Sequence, residues 1–109
     1  MTIEARIRDS FARQGMMTTL GARIDAIAPG SVAIRAPLQP ATSQQQGFGH
    51  AGLTFAIGDS AAGYAALTLL GEGQEVVTAE IKINLLAPAR GDGLIARGRV
   101  IKPGRRLIV

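Results

Sequence analysis

The chain has no cysteine and no tryptophan, a single histidine at position 50, and only 4% aromatic residues. Without cysteine there is no disulfide framework, no thiolate nucleophile and no thiolate-bound metal, and one imidazole cannot build a histidine-ligated centre. No metal and no separate cofactor are therefore expected, and a reducing cytoplasm is the expected setting. With so few rings the core has to be made from Ala, Ile, Leu and Val, and 14 glycines allow backbones to approach closely. One Tyr and three Phe leave little for base stacking, so the excess of 12 Lys and Arg over 8 acidic residues does not mark a nucleic-acid binder. It does bring phosphorylated ligands into consideration, because six of the twelve cations fall between Arg90 and Val109. No secretory leader is expected either: MTIEARIRDSFARQG alternates charge with apolar residues and has no continuous apolar core.

What is present fits one domain spanning residues 1–109, with 47% hydrophobic residues to fill one core. Ile3, Ile7 and Phe11 recur four apart, which predicts an amphipathic helix over 2–14 with Thr2 as cap and Gly15 as stop. From Leu20 the period falls to two. Ala22, Ile24 and Ala26, then Val32, Ile34 and Ala36, predict a β-hairpin around a Pro29-Gly30 type II turn. A loop through Pro37 and Pro40 leads to an apolar run, Ala51 to Leu70, ending at Gly71. Val77, Ala79, Ile81, Ile83 and Leu85 alternate with polar residues and predict a long strand; Leu94–Ile101 predicts another, and Arg106 begins a third. One helix wrapped by an antiparallel sheet is an α+β domain.

The run from Ala51 to Leu70 has the length of a membrane span but carries Asp59, which costs roughly 3 kcal/mol at a bilayer centre. Its small residues and its amphipathic flanks favour a helix buried under a sheet, so no membrane partner is expected. Asp59 then needs a wet seam, hydrogen bonds from Ser or Thr neighbours, or a cleft in which the carboxylate has a task. The N-terminus of the same helix supplies a complementary feature, because the free N–H groups of Ala51 and Gly52 are suited to an oxyanion. The two are eight residues apart, about 12 Å along a helix axis. One reaction can use both only if two antiparallel helices from different subunits meet.

The stretch GFGHAG at 47–52, followed by Asp59 seven residues after Gly52, resembles the hotdog-fold thioesterases of the phenylacetate-degradation (PaaI-like) type. That family carries Gly-x-x-His-Gly-Gly and then an Asp. SFARQG, DSAAGYAA, TAEIKINLLAPARGD and GRVIKPGRRL extend the resemblance over nearly the whole chain. It implies a hotdog fold, hydrolysis of an acyl-CoA thioester, and a homodimer or homotetramer. Asp59 is implied as base or nucleophile, with the Ala51 backbone N–H of the partner subunit, beside Gly52, as the oxyanion hole. Gln44 matches an Asn or Gln ahead of the His that helps place the carbonyl or the water, Thr78 matches a Ser or Thr on the long strand near the Asp, and His50 has an orienting role. Arg90, Lys102, Arg105 and Arg106 are candidates for the CoA phosphates, or else solvated turn charges. Ala51 departs from the family's Gly. The family fold also continues with the rest of the strand begun at Arg106 and at least one more, so the sheet is expected to be cut short. A non-catalytic acyl-CoA-binding module is the alternative.

Overall fold

A computed structural model describes residues 1–109. The first helix, α1, runs Ile3–Ala12, and the Thr2 hydroxyl caps it by accepting from the Ala5 N–H at 3.1 Å. Ion pairs between Glu4 and Arg8 and between Asp9 and Arg13 lie along its outer face, each contributing a few tenths of a kcal/mol. Gly15 does not end the segment as expected. It opens a second short helix, α2 (Gly15–Thr19), which turns Met17 into the core.

The hairpin forms as its alternation predicts, from β1 (Arg23–Ala28) and β2 (Ser31–Pro37). Gly30 takes a φ of +74° in the turn, a value that costs other residues strain. On β2 the buried residues are Val32, Ile34 and Ala36, as expected. On β1 the expected period breaks at a bulge between Ile24 and Ala26. An extra residue there flips the following side chains, so Ala26 faces out and Ile27 faces in. The third strand, β3 (Gly93–Arg99), pairs antiparallel with β2, giving the order β1-β2-β3.

Across this sheet lies α3 (Ala51–Leu67). Leu53, Ile57, Ala61 and Ala65 recur four apart and form its buried stripe against Val32 and Ile34; each large side chain buried here contributes about 1.5–3 kcal/mol. Close approach of sheet and helix is achieved at Gly98, where an added Cβ would stand 2.3 Å from the Ala61 carbonyl oxygen. The helix glycines do not serve this purpose: Gly58 and Gly63 both face open space. Nor does Gly71 cap the helix. Thr68 does so, its hydroxyl donating to the Ala65 carbonyl at 2.6 Å and accepting from the Gly30 N–H at 2.7 Å. No helix is long and apolar enough to cross a membrane.

The long strand predicted over 77–85 is extended but unpaired, with no backbone–backbone hydrogen bond anywhere in residues 76–88. A groove of about 460 Å³, floored by Thr54, Phe55, Ile57 and Gly58 of α3, separates this segment from the outer edge of β3. Alternation gives a segment two faces but cannot supply the neighbour that a ladder needs. Its ends are held otherwise. The Arg6 guanidinium donates to the Gly71 and Gln74 carbonyls and pairs with Glu75, while the Gly49 N–H donates to the Ala89 carbonyl at 2.8 Å. Beyond β3, Pro103-Gly104 turns the chain, and Lys102 and Val109 exchange backbone hydrogen bonds.

Candidate active site

The candidate residues fall into two groups at different points of α3. At its N-terminus, His50 is the cap: its Nδ1 accepts from the Gly52 N–H at 2.8 Å, which places the ring hydrogen on Nε2. The Leu53 and Thr54 N–H groups go to the His50 carbonyl. Among the first N–H groups of the helix this leaves Ala51, which donates to nothing within the chain. Gly52 is therefore not a second free donor. Gln44 stands in the same region, but its Oε1 is committed to the loop, accepting from the Gln46 N–H at 2.5 Å and the Phe48 N–H at 3.2 Å. A hollow of about 510 Å³ opens over this end, walled by Gln44, His50, Ala51 and the segment Leu85–Ala89.

Two helical turns further on, Asp59 is half-buried, and the Thr78 hydroxyl donates to its Oδ1 at 2.7 Å. Thr78 reaches it from the unpaired extended segment. Cavities open on both sides of this pair. One of about 490 Å³ lies towards Ala62, Ala66 and the chain end at Leu107–Val109. The other, about 290 Å³, lies towards α1. No cluster of three or more His, Cys, Asp or Glu residues is placed to hold a metal.

The four cations considered for phosphate contacts do not form one cluster. The Arg90 guanidinium lies over the Phe48 ring, 5.3 Å from its centroid. Arg105 and Arg106 border the larger cavity beside Asp59, and Lys102 belongs to the terminal turn.

Sequence reading missed the polar wall of the smaller cavity. Gln14 Nε2 donates to the Tyr64 hydroxyl at 2.8 Å, the Ser10 and Tyr64 hydroxyls are 3.0 Å apart, and Ser60 donates to Gln14 Oε1 at 3.5 Å. A signal was there. Ser60 and Tyr64 are four apart and share a face of α3, and Ser10 and Gln14 are four apart on the helix predicted over 2–14.

With this geometry in place, the comparisons with known proteins are specific. A profile of the Thioesterase superfamily matches residues 46–109, which contain His50, Ala51, Asp59 and Thr78. A crystal structure of a thioesterase family protein from Silicibacter pomeroyi is 50% identical and superposes with a TM-score of 0.92, covering 94% of this chain and 76% of the other. A thioesterase from Haemophilus influenzae is 28% identical, with a TM-score of 0.83, 96% of this chain and 72% of the other being covered. The PaaI protein of the E. coli phenylacetic acid degradation operon, at 21% identity and a TM-score of 0.84, covers 94% of this chain and 73% of its own. At that identity it bears on the fold alone. The helix laid across an antiparallel sheet is the hotdog fold.

Proposed function

Because the chain belongs to the Thioesterase superfamily, we propose that it is an acyl-CoA thioesterase of the PaaI-like kind, acting as a homo-oligomer on a thioester held between two subunits. The observation that carries this reading is the Asp59–Thr78 pair at 2.7 Å, set at the mouth of two cavities in a chain whose other half-site, the free Ala51 N–H, heads the same helix.

Asp59 takes a proton from water as the water oxygen adds to the thioester carbonyl. Thr78 fixes which carboxylate oxygen is free to do so. The carbonyl oxygen becomes an oxyanion beside the partner's helix N-terminus, where an N–H donor and the helix dipole stabilise it. Collapse of the adduct breaks the C–S bond, and the CoA thiolate takes the proton back from Asp59. The products are a free acid and CoA, and neither a metal nor a separate cofactor enters.

Release of free thiol from a panel of acyl-CoAs tests this, and the protein has no cysteine to confuse the readout. Asp59→Asn is expected to lower kcat about 100-fold to 1000-fold, the range for loss of a general base. Undiminished turnover in that variant removes Asp59 from the chemistry. Tight acyl-CoA binding without any turnover makes the protein a binding module.

A further inference from the structure

The half-buried cavity between α1 and α3 has a composition that the hydrolytic step itself does not require. Seven of its ten lining residues are polar, including Ser10 from α1, Gln14 from the junction with α2, and Ser60 and Tyr64 from α3. Ser10 follows Ile7 by three residues and lies on the face that α1 turns inward, and Gln14, at the junction with α2, meets it at the Tyr64 hydroxyl. Apolar residues would continue the core there. Instead the stripe becomes polar where it meets Asp59. Gly63, one turn after Asp59, meets nothing within 4 Å and leaves the passage between the carboxylate and Tyr64 open.

We propose, resting on the thioesterase reading, that this cavity is an acyl-group pocket selecting chains that end in a hydroxyl or similar hydrogen-bonding group, with Tyr64 and Gln14 as the residues that read it. Asp59 and Tyr64 both line this cavity, five residues apart on α3 and about 7.5 Å along its axis, so a six-carbon chain is a probe of suitable length. The Tyr64 hydroxyl is held by Gln14 and Ser10 in a fixed position. The Gln14 carboxamide has a second N–H beyond the one given to Tyr64, so a terminal oxygen finds both a hydroxyl and a donor. A methyl group in the same place leaves the second Gln14 N–H desolvated and without a partner, which is how such sites discriminate. The opposite cavity, lined by Ala62, Ala66 and Leu107, has no comparable set of hydroxyls.

The test compares kcat/KM for 6-hydroxyhexanoyl-CoA and heptanoyl-CoA, which differ by OH against CH3 at the chain end. The wild type is expected to favour the hydroxylated ester by about tenfold or more, equivalent to roughly 1.4 kcal/mol. In Tyr64→Phe and in Gln14→Ala the ratio should fall towards one. Tyr64→Phe keeps the buried ring, and Gln14 lies at a helix junction, so at least one variant remains folded. Equal or better turnover of heptanoyl-CoA by the wild type overturns the proposal, as does a preference that both substitutions leave intact. Cleavage of other acyl-CoAs with neither of these two hydrolysed overturns the pocket alone, whereas no turnover of any acyl-CoA in the panel defeats the thioesterase reading and the pocket with it.

Discussion

At the scale of single residues, His50 is the position where packing and chemistry meet. It is exposed, and its one intramolecular side-chain bond is to the Gly52 N–H. Capping that donor singles out Ala51 as the free one. His50→Ala is expected to cost about 1 kcal/mol of stability, the usual value of a lost N-cap, whereas His50→Asn keeps an acceptor and most of it. Urea denaturation of both variants checks this, and equal losses would mean that the ring acts by something other than capping. Gln44 teaches the complementary lesson. Its place ahead of the histidine was legible, but its Oε1 serves two loop N–H groups, a use visible only once the loop is folded.

At the scale of elements, two glycines of similar appearance in the sequence have opposite meanings. Gly98 lies where β3 crosses α3, and a Cβ there collides with helix backbone that cannot move aside. Gly98→Ala should destabilise by about 1–3 kcal/mol, the range for overpacking. Gly63 faces open space in the middle of a helix. Gly63→Ala should be neutral or gain up to about 1 kcal/mol from helix propensity. Thermal melts of the two variants decide it, and a matching shift in both would contradict the crossing geometry. The sequence suggested that small residues bring helix and sheet together. It could not say that the essential one is on the strand, because closeness depends on which residues face each other across the layer. The unpaired segment at 76–88 follows the same logic: its two-residue period was plain, but pairing belongs to a neighbour.

At the scale of the whole molecule, the two candidate half-sites sit at separate points of one helix, so the proposed site draws on two chains. Ala51 is the first residue of α3, and the preceding His50 has φ −68° and ψ 142°, a conformation compatible with a following proline. Proline is well tolerated at that position, so Ala51→Pro removes the free N–H while keeping the helix. Alone, Ala51→Pro and Asp59→Asn should each be nearly inactive. Mixed and allowed to exchange subunits, they should recover about a quarter of wild-type activity, because half of the dimers are mixed and each mixed dimer has one intact site. Analytical ultracentrifugation alongside the assay establishes that dimers form. No recovery from properly mixed dimers would place both half-sites in the same chain's reaction or in none.

The sequence by itself determined the first helix, the hairpin and its turn, and the burial of α3, because these follow from local periodicity and caps. The family resemblance put Thr78 near Asp59, but only the tertiary structure decided that its hydroxyl donates to Oδ1, that Ala51 has the one uncommitted donor at the helix start, and that α1 lends Ser10 to the polar wall of the cavity. The side-chain contacts among them join residues from 19 to 54 positions apart. Contact between distant segments is set by how layers stack and which groups are left without partners, and no local pattern encodes that.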